Sequence, residues 1–166
     1  MADVPDLSGS ELDEYFLRRA FDVARRAVTA GNHPFGAVLV DQNGNVLIEM
    51  ENGYMPAHDA TAHAERLIAT QACTTLSPDV LRHATLYSSA EPCAMCAGAI
   101  YWSGIGRLVY GLSERRLRML TGNHPENPTL DLPCREVFKR GQRPTEVIGP
   151  LLDDEAEAVH AGAWNP

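Results

Sequence analysis

From Ser10 to Val28 apolar side chains return every three or four positions, at Tyr15, Phe16, Ala20, Val23, Ala24, Ala27 and Val28. That spacing predicts an amphipathic helix. Ser10 and Asp13 open it in capping-box order, with aspartate in place of the usual glutamate. Arg18, Arg19, Arg25 and Arg26 fall mostly on the other face, interleaved with Glu11, Asp13, Glu14 and Asp22. Mixed signs of this kind read as a solvated face rather than a nucleic-acid contact. Gly31-Asn32-His33-Pro34 breaks the helix, and the pattern changes to two strands, Phe35 to Asp41 and Val46 to Met50, with a hairpin turn at Asn43-Gly44. Asp59 to Thr61 look like a cap for a helix from His63 to Cys73 that buries Leu67 and Ile68. Ser77-Pro78-Asp79 punctuates before a third strand, His83 to Ser88.

The alternation continues with a helix from Cys93 to Tyr101, a strand from Arg107 to Tyr110 and a helix from Ser113 to Leu120. Thr121 to Pro133 is a proline-rich loop that cannot be regular. A short helix, Cys134 to Arg140, a fifth strand, Thr145 to Ile148, and a last helix, Leu151 to His160, complete the chain, with Trp164 beyond. Helix and strand in alternation demand a mostly parallel sheet with helices on both faces. Ligands in such α/β folds bind at the ends of the strands.

At 166 residues the chain fits one domain, residues 1–166, with 1–9 a loose arm and 151–166 a terminal helix and tail. No apolar run reaches membrane-spanning length and no basic-then-apolar leader opens the sequence, so the cytoplasm is the expected setting. A net charge of −8 argues against broad contact with a phosphate backbone. Four cysteines are present; Cys73 and Cys134 are expected to be small buried or half-buried residues, since a reducing compartment disfavours a disulfide.

The chemistry is concentrated in two places. Pro92-Cys93-Ala94-Met95-Cys96 sits where a strand runs into a helix, and Pro92 suits the helix opening because no amide donor is needed there. Both thiols fall in the first turn, where the positive end of the dipole favours thiolates. Alone, a C-x-x-C pair could be a redox pair, half of a structural zinc site or two buried small residues. His63-Ala64-Glu65 upstream changes this, because H-x-E followed by P-C-x-x-C is the signature of zinc-dependent nucleobase deaminases. One imidazole and two thiolates leave a fourth tetrahedral position for water, whose pKa the metal lowers. Glu65, a carboxylate that is not a ligand, can then carry protons from the water to a ring nitrogen and to departing ammonia.

These residues resemble the cytidine deaminase-like superfamily, and within it the branch holding bacterial guanine deaminases, nucleoside deaminases and tRNA adenosine deaminases. The matching stretches are Pro34 to Val40, Asp59 to Glu65, Glu91 to Trp102 and Arg107 to Gly111. The resemblance implies an α/β, three-layer αβα sandwich around a mixed five-stranded sheet of order 2-1-3-4-5, and one Zn2+ per subunit on His63, Cys93 and Cys96 with Glu65 as the catalytic acid and base. It also implies base contacts from the Asn52 side chain, eleven positions before His63, and from the Ala64 amide. Phe35, where the tRNA enzymes tend to carry valine, offers a stacking face or a simple core role. Trp164 is the candidate aromatic lid, closing its own pocket or a partner's, and family members usually pair as homodimers through the helix holding Tyr101 and Trp102. Guanine deaminases carry an acidic loop after this region that is missing here; Glu114 is the possible substitute. Of the other histidines, His33 reads equally as a loop residue or as part of the pocket mouth, His58 reads as surface, and His124 is unassigned.

The reading is hydrolytic deamination of a free nucleobase or nucleoside, guanine or a related aminated heterocycle. A tRNA adenosine deaminase would share every catalytic residue but need a basic groove, and the chain has 14 basic against 22 acidic side chains. Lys139 is the single lysine, the last helix is acidic, and Arg115, Arg116 and Arg118 are the best case for a nucleic-acid contact. A non-catalytic zinc-stabilised binding domain would leave Glu65 without a task.

Overall fold

In a computed structural model, residues 7–165 are described; most of the expected loose arm lies outside them. The long helix is α1 (Ser10–Thr29), followed by the hairpin β1 (Gly36–Val40) and β2 (Val46–Glu51). α2 (Ala64–Thr75), a short α3 (Pro78–His83), β3 (Thr85–Ala90), α4 (Ala94–Ser103) and β4 (Arg107–Leu112) follow. The remainder is α5 (Glu114–Thr121), α6 (Cys134–Phe138), β5 (Glu146–Ile148) and α7 (Asp153–Ala158). The strands lie in the order β2-β1-β3-β4-β5. β1 runs antiparallel to both neighbours, while β3, β4 and β5 are parallel, so the sheet is mixed.

Alternation along the strands divides the interior in two. Ala37, Leu39, Leu86, Leu108 and Tyr110 face α2, α4 and α6, where they meet Ile68, Ile100 and Phe138. Val38, Val40, Tyr87, Val109 and Leu112 face α1, where Phe16, Leu17, Phe21 and Val23 are fully buried. Each such Phe or Leu contributes about 1.5–3 kcal/mol. This outweighs the pairs of Arg18 with Glu155 and of Arg26 with Glu49 and Glu51, since exposed ion pairs contribute about 0–1 kcal/mol each. Those pairs show the arginine face of α1 to be the solvated, charge-balanced surface expected. α1 crosses β1 closely because of Gly36: a Cβ there would stand 2.4 Å from the Ala24 amide nitrogen.

Four local expectations are corrected. Gly9, not Ser10, is the N-cap of α1, with no side-chain cap. Asp13 instead turns inward, where Arg107 donates to both its oxygens at 2.7 and 2.8 Å and the Tyr87 hydroxyl donates at 3.0 Å. A buried carboxylate takes the strongest donors in reach, and a bidentate guanidinium outcompetes a capping amide. Pro78 begins a helix rather than only ending one, because Ser77 accepts a hydrogen bond from the Val80 amide at 3.3 Å. Cys73 is exposed rather than buried, on the outer side of α2, while Cys134 is buried as expected. α7 is shorter than the predicted final helix, since Leu152 adopts φ 53° at its start. Among the described residues no helix is long and apolar enough to cross a membrane.

Candidate metal and catalytic centre

Because β3 and β4 are parallel and in register at Ala90 and Leu112, the segments leaving them emerge side by side at one sheet edge. β1 begins and β2 ends at the same edge, where the Asn52 amide donates to the Phe35 carbonyl at 2.9 Å. α2 and α4 both start there and pack on each other. Their N-caps are His63 and Cys93, neither with a side-chain cap hydrogen bond. The cap thus expected at Asp59–Thr61 closes a preceding turn, in which the Thr61 amide and hydroxyl donate to Asp59.

His63 Nδ1 lies 3.6 Å from the Cys93 sulfur and 3.5 Å from the Cys96 sulfur. Tetrahedral zinc with Zn–S of about 2.3 Å and Zn–N of about 2.0–2.1 Å requires an N···S separation of about 3.6 Å. The donor set is also the right one, and all three atoms lie within 4.8 Å of one another. The Cys93 pKa is drawn down to about 4, first by the Cys96 thiol and then by His63, and the same contact together with burial pushes Cys96 up. Zinc held there would take both sulfurs as thiolates.

Glu65 is buried two residues beyond His63, and burial raises its carboxyl pKa. The Ser88 hydroxyl lies 2.9 Å from its Oε1 and 2.6 Å from the Ala90 carbonyl. One hydroxyl hydrogen serves one acceptor at a time. Donation to Glu65 suits the carboxylate; donation to Ala90 leaves the Ser88 oxygen free to accept from the protonated acid. Ser88 can therefore follow Glu65 through a proton cycle. Sequence reasoning missed it, since a serine late in an apolar strand carries no signal of its own.

Glu91 was also missed. Its Oε2 accepts from the Glu114 amide at 2.8 Å, its Oε1 accepts from the Cys134 amide at 2.9 Å, and its own amide donates to Leu112. One side chain thus ties the starts of α5 and α6 to the loop that carries Cys93.

Of the expected substrate contacts, Asn52 uses Oδ1 to accept from the Tyr54 amide at 3.0 Å, which leaves its amide hydrogens available. Ala64 is the first residue of α2, so its N–H has no partner within the helix. Phe35 is half-buried at the site edge, with its ring near Trp164 at 6.1 Å between centroids. Trp164 stacks on His33 at 4.4 Å and approaches His124 at 5.5 Å. It also donates from Nε1 to His160 Nδ1 at 3.1 Å. His33 is further held by Glu126 at 2.8 Å. The structure therefore gathers Phe35, His33, His124 and Trp164 at the edge where Asn52 stands, within one chain. His58 is exposed and apart, beside Tyr54.

A family model for the cytidine and deoxycytidylate deaminase zinc-binding region matches residues 10–112. A probable cytosine deaminase of Schizosaccharomyces pombe is 44% identical over 156 residues, 94% of each chain. A tRNA-specific adenosine deaminase of Haemophilus influenzae is 43% identical over 105 residues, covering 63% of this chain and 61% of that one. A solved structure in complex with 8-azaguanine is 26% identical with a TM-score of 0.73, covering 89% of this chain and 82% of that one.

Proposed function

We propose, from the premise that this chain belongs to the cytidine and deoxycytidylate deaminase zinc-binding family, that it deaminates a free nucleobase or nucleoside, guanine or a related aminated heterocycle. The reaction replaces an exocyclic amine by a carbonyl, consuming water and releasing ammonia. The observation that carries deamination is the pairing of a zinc-spaced His63, Cys93 and Cys96 with a buried carboxyl, Glu65, that is not among the ligands. Those three residues would hold zinc, which would supply there a water whose pKa lies near neutrality. Glu65 would take one proton from that water to the ring nitrogen next to the reacting carbon, and then the remaining proton of the added hydroxyl to the amine, which leaves as ammonia while the carbonyl forms. Ser88 holds the Glu65 carboxyl in place in both protonation states. The Ala64 N–H and the free Asn52 amide hydrogens orient the ring, and Phe35 and Trp164 cover it from water. A non-catalytic zinc domain would need none of these.

A small substrate is favoured over tRNA by what happens to the arginines. Arg116 is engaged by Asp153, Asp154 and Glu157, and Arg118 by Asp131. Trp164 meanwhile packs beside Phe35, His33 and His124 of its own chain. The likeness to the tRNA enzyme spans 61% of that protein, whereas the likeness to the probable cytosine deaminase extends over 94% of it and brings cytosine alongside guanine. Ammonia release from guanine, cytosine, their nucleosides, related aminated heterocycles and an adenosine-containing anticodon stem-loop tests the reading. The highest kcat/KM is expected on a free base or nucleoside. A higher value on the stem-loop overturns it.

We further infer a homodimer through α4. Trp102 is 81% exposed there, beside Tyr101, whose hydroxyl and ring are already held by Gln142 and Arg143. Exposed apolar surface of this kind marks an interface. Sedimentation at micromolar concentration should give twice the chain mass, with Trp102→Glu shifted toward the monomer. A monomeric mass for the unaltered chain would count against it.

A further inference from the structure

Glu91 is the last residue before the Pro92-Cys93 step into α4, and it is only 7% exposed. Three hydrogen bonds hold it. Its amide donates to the Leu112 carbonyl at 2.7 Å, at the end of β4. Its carboxyl accepts from the Glu114 amide at 2.8 Å and from the Cys134 amide at 2.9 Å. Glu114 and Cys134 are the first residues of α5 and α6, and a first helical amide finds no partner within its own helix. Two donors thus converge on one side chain from separate segments. A carboxylate offers an oxygen to each, whereas a glutamine would turn its own N–H2 group toward one of the two.

Cys93 takes its place from this anchor. Cys96 lies within α4 and is fully buried. Cys93 is half-buried and stands outside the helix as its N-cap, with φ −65° and ψ 171° and no side-chain cap hydrogen bond. Downstream, its carbonyl joins the helix by accepting from the Ala97 amide at 2.8 Å. Upstream, Pro92 alone separates it from Glu91, and the proline ring fixes its own φ. Few soft torsions therefore lie between the Glu91 hydrogen bonds and the Cys93 sulfur. That sulfur has to keep its 3.6 Å spacing from His63 Nδ1 for a tetrahedral ion to fit.

We propose that Glu91 is a positioning residue for the metal: by gathering the first amides of α5 and α6 it fixes the Pro92-Cys93 step, so that the docking of those two helix starts and zinc affinity form one linked equilibrium. This rests on the zinc-binding part of the reading above. Linkage is reciprocal. Whatever Glu91 and its two amides do for the ion, the ion does for them, and bound zinc slows the opening of both helix starts.

The test is zinc binding to the full chain, read by competition with a chelator, in the parent and in Glu91→Gln, Glu91→Ala and Asp13→Ala. Glu91→Gln should bind zinc about 10–100-fold more weakly than the parent, the usual cost of losing a group that orients a metal's ligands. The rise in melting temperature on adding zinc should shrink with it, and Glu91→Ala should lose at least as much. Asp13→Ala is the control for plain destabilisation. Asp13 is also buried, and its partners are Arg107, which opens β4 at the end away from Leu112, and Tyr87. Its loss should lower the melting temperature with and without zinc alike and leave the affinity at the parent's value. A merely structural Glu91 would give that same pattern. A second measurement needs no variant and decides the matter even where both Glu91 variants fail to fold. Hydrogen exchange at the Glu114 and Cys134 amides of the parent should slow on adding zinc. The Asn43 amide, held by the Asp41 carboxylate in the turn between β1 and β2, should not respond. Parental zinc affinity in Glu91→Gln, or no zinc response at the two amides, overturns the role of Glu91 alone. A parent chain that binds no zinc overturns the metal reading and this inference with it.

Discussion

Glu65→Gln is expected to abolish nearly all turnover while zinc content and fold remain. General acid–base work alone contributes about 10²–10⁴-fold to rate, and here one carboxyl serves the water, the ring nitrogen and the leaving amine in turn. Its loss should therefore lie at or beyond the upper end of that range. Glutamine matches the shape of glutamate and can still meet the Ser88 hydroxyl, so the local packing has little reason to change. Glu65 is buried and its ionised form is disfavoured by that burial, so a neutral replacement should not lower stability. Ammonia release, metal content and thermal melting on the same preparation check all three parts. A rate within a few-fold of the parent would move the proton-carrying role to another group.

The second large effect concerns the metal. Cys96→Ala should reduce zinc from about one per chain to a trace, since two protein donors hold the ion far more weakly than three. Stability should fall with it. Where free zinc stands at ~100 times its dissociation constant, binding contributes about 2.7 kcal/mol to folding. A chelator should therefore lower the melting temperature of the parent but leave that of Cys96→Ala unmoved. Cys93→Ala should behave alike, although its half-buried position leaves a smaller hole than the fully buried Cys96. Full metal retention in both variants would show that the ion, if bound, sits elsewhere.

The α/β layering and the residues that could hold a metal were legible in the sequence for related reasons, while the strand order followed from the resemblance. Alternating strands and helices restrict the topology to few choices, and a thiol pair at helix spacing with an upstream His-x-Glu restricts the chemistry. What was not legible depends on contacts between distant segments. Asp13 reads as a cap when only its neighbours in the chain are considered, but Arg107 lies 94 positions away and binds it from β4. Ser88 and Glu91 have no motif, and their roles exist only because β3 ends beside the starts of α2 and α5. His33 and His124 could not be placed until Trp164 was seen between them, since nothing local joins residues that far apart. Ser77-Pro78 marks a stop and a start equally well, and the hydrogen bond from Val80 decides it.

The aromatic cover described above has an evolutionary side. The stretch that the family model matches ends at Leu112, and it contains His63, Cys93, Cys96 and Glu65. His124, Glu126 and Trp164, which gather beside His33 and Phe35, all come later in the chain. On the function proposed above, the aromatic cover is written outside the matched stretch, while Phe35, Asn52 and Ala64 lie within it beside the metal residues. Substitutions in the last third can retune which molecule is admitted while the bond-breaking apparatus is inherited unchanged, and relatives that share the first part need not share a substrate.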